Sequence, residues 1–127
     1  MSYEKEFSLT KLNKPKDWTN LTNMAKKHIP TIEAPERVKA KESFTVKVKV
    51  GGIEGVEHPN ILGHWVNWLE LYAGERLVCR TEFEPEMCDG YAVNLNVTLN
   101  ETATLRAREF CNLHGVWEGR EKKVTVE

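Results

Sequence analysis

From residue 43 onward the chain alternates. Phe44, Val46, Val48 and Val50 are apolar, and Thr45, Lys47 and Lys49 between them are polar. This period of two predicts a strand over 43–50 with one face on a core and the other in water. Residues 65–72, Trp65 to Tyr72, are rich in aromatic and branched side chains and predict a second strand; Leu77 to Phe83 predicts a third. Alternation returns over 91–99, where Val93, Leu95, Val97 and Leu99 interleave with Asn94, Asn96 and Thr98. Asn100 and Glu101 then read as a tight turn, with 102–110 running back as the hairpin partner of 91–99. A short strand over 122–126 closes the chain. Turn residues separate these runs at Gly51-Gly52, at His58-Pro59-Asn60, at Gly74 and at Cys88-Asp89-Gly90. Short strands at this spacing, with no long helical pattern, predict an all-β fold, an immunoglobulin-like antiparallel β-sandwich.

Before residue 28 the pattern is weak. The segment is polar and lysine-rich, and Leu21, Met24 and Ala25 have the spacing of one face of a short helix. We divide the chain into an N-terminal extension over 1–16 and a single domain over 17–127. A length of 127 residues suits one such domain, large enough to bury a core without disulfides. A net charge of -1 gives no positive surplus for nucleic acid. No stretch approaches the roughly 18 apolar residues of a membrane span, and the first residues carry no apolar leader. The expected setting is cytoplasmic.

The chemistry lies in the cysteines and histidines. Cys79, Cys88 and Cys111 are odd in number and contain no Cys-x-x-Cys pair, which argues against a disulfide framework and against a zinc ribbon or rubredoxin-like module. All four histidines, His28, His58, His64 and His114, fall in predicted loops or at strand edges. His58 and His64 bracket one loop, and Pro59 pushes His58 into an extended conformation. Cys111 and His114 stand three apart just after a strand, followed by Gly115, which frees the backbone to turn. Singly, each is more often an ordinary surface histidine or an inert buried thiol. Together, thiolate and imidazole suit iron, zinc or copper. Four imidazoles and one thiolate exceed a tetrahedral zinc set and leave one position open on an octahedral metal.

Four stretches carry a resemblance. They are Lys27-His28-Ile29-Pro30, then Glu57-His58-Pro59-Asn60, then His64 ahead of Trp68 to Tyr72, then the run from Cys111 through Asn112, Leu113, His114 and Gly115 to Trp117-Glu118. From Asp17-Trp18 to the C-terminus the chain resembles the superoxide reductase family, also called neelaredoxin or the iron domain of desulfoferrodoxin. The resemblance implies a seven-stranded immunoglobulin-like sandwich holding one Fe. His28, His58, His64 and His114 would form the base of a square pyramid and Cys111 its apex. It implies reduction of superoxide to hydrogen peroxide, with rubredoxin or another small donor restoring ferrous iron. Lys27 matches the lysine that attracts the anion. The one-iron class that the chain resembles is often a homotetramer.

Two features depart from the family pattern. A glutamate usually stands two residues before the first histidine, where it occupies the sixth position of ferric iron. Here that residue is Lys26, so the expected ferric site is open or holds water or hydroxide. Lys26 either adds to the field of Lys27 or points to solvent. The segment between Trp18 and Lys26 is also longer than in relatives. Cys79 and Cys88 have no family role and read as buried thiols in preference to a redox-sensitive pair. Three other readings stay open at this stage: a non-catalytic binding module, a zinc or electron-carrier site, and a dismutase.

Overall fold

The computed structural model describes residues 6–127; the first five residues of the expected extension lie outside the described residues. Two sheets enclose one core. The first is antiparallel, in the order β1 (Pro30–Glu33), β3 (Phe44–Val50), β6 (Ala92–Val97). The second runs β2 (Arg37–Val38), β9 (Lys122–Val126), β7 (Ala103–Cys111), β4 (Val66–Ala73), β5 (Arg76–Glu82), and β8 (Gly115–Glu118) also pairs with β7. Among the described strands all pairings are antiparallel except the two-residue contact of β2 with β9. Among the described residues, no helix is long and apolar enough to cross a membrane.

The alternation read from the sequence places the core correctly. Val46, Val48 and Val50 of β3 are fully buried, facing Leu69 and Leu71 of β4 and Leu105 and Ala107 of β7. Each such valine or leucine contributes roughly 1.5–3 kcal/mol by leaving water. The expected hairpin between 91–99 and 102–110 is corrected. β6 pairs with β3, Phe44 opposite Val97, whereas β7 pairs with β4, β8 and β9. The two strands belong to different sheets, because alternation fixes which side of a strand is buried and not which strand sits beside it.

Among the described residues there are nine strands, where the sequence pattern marks six and the resemblance implies seven. The additional ones are short. β1 opens on a proline, β2 has two residues, and β8 lies inside the cysteine–histidine motif. The short helix α1 (Asn23–His28) forms as the spacing suggests, capped by the Thr22 hydroxyl, which accepts from the Ala25 N–H at 3.1 Å. Its inward face packs Ala25 on Trp117 and Ile29 in a second, smaller core with Phe7, Trp18, Leu21 and Met24. Cys79 and Cys88 are free thiols but only half-buried, a correction to the buried-thiol reading, since Cys79 lies on the edge strand β5 and Cys88 in the loop that follows it.

One core position is unexpected. Glu109 points inward on β7 between Ala107 and Cys111, has no exposed surface, and neither carboxyl oxygen has a hydrogen-bond partner. Burial holds its pKa well above the usual carboxylate range, so the group costs stability. Glu109→Leu is expected to raise the stability of the metal-free protein by about 1–3 kcal/mol in denaturant unfolding. A loss of stability would show that the carboxyl has a partner in solution.

Candidate metal centre

The residues singled out from sequence come together from three parts of the chain: the end of α1, the connection between β3 and β4, and the end of β7 with the turn after it. His28 is the last residue of α1, fully buried, with Nδ1 2.7 Å from the Met24 carbonyl one turn back. A carbonyl only accepts, so Nδ1 carries the proton and Nε2 presents a lone pair. That Nε2 is buried without a partner. The His28 ring stacks on Trp117 of β8 at 5.2 Å. His58 repeats the arrangement. Its Nδ1 lies 2.7 Å from the Pro59 carbonyl, which the Tyr91 hydroxyl also donates to, and its Nε2 lies 3.3 Å from the Cys111 sulfur.

His64 closes a tight turn in which its N–H and carbonyl both bond Ile61, at 3.0 and 3.1 Å, and its Nε2 is again buried and unpartnered. Cys111 ends β7 with no exposed surface. In the turn that follows, Asn112 ties the loop to its neighbour: its side chain accepts from the Trp65 N–H and donates to the Gly63 carbonyl, both at 2.9 Å. His114 then presents Nδ1 to the sulfur at 3.6 Å. Gly115, at φ +83°, turns the chain into β8.

The ligand atoms of His28, His64, Cys111 and His114 all lie within 4.8 Å of one another. His58 joins them through its contact with Cys111. The rings follow one another around a near-square: 4.8 Å from His28 to His58, 4.6 Å to His64, 4.9 Å to His114 and 4.8 Å back to His28. The His28–His64 diagonal is longer, at 6.3 Å.

Electrostatics prepares these groups for a cation. Burial pulls the His28 pKa down to about 3 and that of His58 to about 4, and it lowers those of His64 and His114 as well. All four rings are therefore neutral at pH 7, as ligation requires. Burial pushes the Cys111 thiol up to about 11, opposed by hydrogen bonds from the Leu113 and His114 N–H groups and by the charge of Lys27. The same Lys27 charge acts on His58, His64 and His114, so the half-buried lysine faces the cluster. Lys26 neither adds freely to that field nor points to open solvent; its ammonium pairs with Glu54 at 2.7 Å.

The donor set fits a mononuclear transition metal. Two buried imidazole nitrogens lack any partner, two more face a buried thiol, and no group in the cluster carries a fixed positive charge. Tyr91 and Glu109, which line or support the cluster, were not singled out from sequence; Trp117 entered only as part of the resembling motif, without a role. Only Glu109 had a visible signal, a charge at an inward position of an alternating strand.

Fold and site together define a β-sandwich metalloprotein whose centre is built from histidine and cysteine. The Desulfoferrodoxin family profile matches residues 20–120. The chain is 39% identical over 100 residues to the desulfoferrodoxin of Desulfarculus baarsii, covering 78% of this chain and 67% of that one. It is 31% identical over 128 residues to the superoxide reductase of Thermococcus kodakarensis, covering 94% and 99%. The solved superoxide reductase (neelaredoxin) of Ignicoccus hospitalis superposes with a TM-score of 0.69 at 38% identity, covering 79% and 81%. The chain belongs to the desulfoferrodoxin family.

Proposed function

We propose that this protein is a superoxide reductase: it adds one electron and two protons to superoxide and releases hydrogen peroxide. The observation that carries the reading is the convergence of four neutral imidazoles on one buried thiol, with the Nε2 atoms of His28 and His64 buried and unpartnered. In this reading His28, His58, His64, His114 and Cys111 hold iron. Bound in its ferrous form, iron supplies the single electron.

The chain supplies the rest. The Nδ1 hydrogen bonds of His28 and His58 fix which nitrogen each ring presents. N–H groups of Leu113 and His114 aim at the Cys111 sulfur and favour its thiolate, against the burial that raises its pKa. Lys27 draws the anion in. Lys27→Ala is expected to lower the second-order rate with superoxide about tenfold and to flatten its dependence on ionic strength. An unchanged salt dependence would remove Lys27 from this role. With Lys26 engaged by Glu54, no carboxylate stands at the position of the family glutamate, and the resting ferric form is read as open or water-bound.

Rubredoxin, or another small one-electron donor, restores the ferrous state. Exposed apolar side chains on the ligand-bearing loops, Ile61, Leu62 and Leu113, give such a donor a surface to meet. The protein works as a homotetramer in the cytoplasm, where its three free thiols stay reduced. The domain over 17–127 carries the activity, and the segment over 1–16 is an extension to it. The first experiment is metal content with visible absorption before and after oxidation. Near-stoichiometric iron and a thiolate-to-iron band on oxidation are expected. Zinc, or no band after anaerobic iron reconstitution, would reduce the relationship to one of fold.

A further inference from the structure

The segment that leads into the domain reaches the metal cluster. Residues 7–13 lie before the stretch matched by the family profile, 20–120, yet they pack directly on His114. The Phe7 ring meets the His114 ring edge-on at 4.7 Å and 85°. Asn13 is buried. Its side-chain amide donates to the Val116 carbonyl at 2.9 Å and reaches the His114 carbonyl at 3.5 Å. It also closes the segment on itself, bonding the Ser8 N–H at 2.7 Å and the Ser8 carbonyl at 2.9 Å. Its backbone bonds on both sides of Trp117, to Val116 at 2.9 Å and Glu118 at 3.0 Å. The fit leaves no space at Gly115, where a Cβ would stand 2.6 Å from the Ser8 carbonyl oxygen.

His114 needs such a support more than two of its partners do. His28 and His58 are each held by a carbonyl through Nδ1, leaving Nε2 free. His114 turns Nδ1 itself toward the sulfur, so the same anchor is closed to it. Its orientation must come from contacts on the ring and on the backbone behind it. Phe7 supplies the first and Asn13 the second.

We propose that Phe7–Asn13 is a clasp that positions His114, with Phe7 seating the ring and shielding it from water, and so slows loss of the metal. Phe7 and Asn13 are positioning residues; neither reaches the ligand atoms. The inference rests on the metal-centre reading above. It separates this chain's extension from a passive leader and gives it a part in the centre.

The test is the rate at which a chelator removes iron from the reduced, full-length holoprotein without oxygen. The position of the thiolate-to-iron band is read on the same samples after oxidation. Phe7→Ala is expected to release iron about tenfold faster, the scale of other outer-shell supports, with a shifted band. Phe7→Leu, which keeps the apolar cover, should restore most of the difference. Leu9→Ala, at an exposed position of the same segment, should change neither. A Phe7→Ala protein with the parent's release rate and band would overturn the clasp, and so would equal acceleration by Leu9→Ala, which would indicate general fraying. A parent protein that takes up no iron and shows no band would instead overturn the metal-centre reading, and the clasp with it.

Discussion

Cys111→Ser is expected to abolish the visible thiolate-to-iron band and to slow superoxide reduction on the order of a hundredfold or more, beyond the loss from outer-shell changes alone. The sulfur is fully buried, 3.3 Å from His58 Nε2 and 3.6 Å from His114 Nδ1. Two N–H groups aim at it and favour the thiolate. A serine hydroxyl in the same place is a far weaker acid, so it stays protonated and brings no negative charge. The thiolate's electron density, which favours donation from the metal, is lost with it. The four imidazoles remain and are neutral, so the variant should still take up metal more weakly. Pulse-radiolysis rates on iron-loaded parent and variant, with metal content measured on the same samples, check this. A variant that keeps the band or reacts within a few-fold of the parent would place the sulfur outside the centre.

What could be read from the chain differs between core and site for a physical reason. Strand burial is a local property: the side-chain period is two, so Val46, Val48 and Val50 declare their inward face without reference to the rest of the molecule. Strand neighbours are not local. Residues 91–99 and 102–110 both alternate and are joined by a short connection, which suits a hairpin as well as the observed step between sheets. The clustered residues were legible because five residues of two uncommon types, four histidines and a cysteine, fall in motifs with fixed spacing. Their supports were not. Trp117 under His28 is part of the motif but silent about its role, and Phe7 on His114 joins residues more than a hundred positions apart. Nothing in the polar, weakly periodic stretch before residue 28 marks Phe7 or Asn13. Lys26 was undecided between two roles because its partner, Glu54, sits in a glycine-rich turn that no local pattern connects to the helix.

The stability of the site's frame should depend on one carboxylate. Glu118 ends β8 with its side chain 2% exposed, yet three cations converge on it. Its Oε1 accepts from Arg106 at 3.1 Å and Arg108 at 3.0 Å on β7, and its Oε2 meets Lys14 at 3.0 Å. It therefore ties the segment that carries Asn13 to the strand that carries Cys111. Glu118→Gln keeps the shape and removes the charge, leaving two guanidinium groups and an ammonium facing one another. Breaking a buried pair in this way costs about 3–5 kcal/mol. The partly exposed cations place this case near the lower end, about 3 kcal/mol. The effect should fade in acid. Burial alone would raise the Glu118 pKa, but the hydrogen bonds from Arg108 and Lys14 outweigh it, and the net value lies below the ordinary 4.5. A group whose pKa is lower folded than unfolded binds more protons in the unfolded chain. Its contribution is full above the unfolded value and is lost as pH falls through the folded one. The gap in unfolding free energy between parent and Glu118→Gln should thus be whole near neutrality and narrow below about pH 4. Titration of the four histidines is common to both proteins and cancels in the difference. Denaturant unfolding of the metal-free proteins at the two ends of that range measures the gap. A gap under about 1 kcal/mol, or one that does not change with pH, would mean that the cations are satisfied by solvent and that β8 is held by its packing alone.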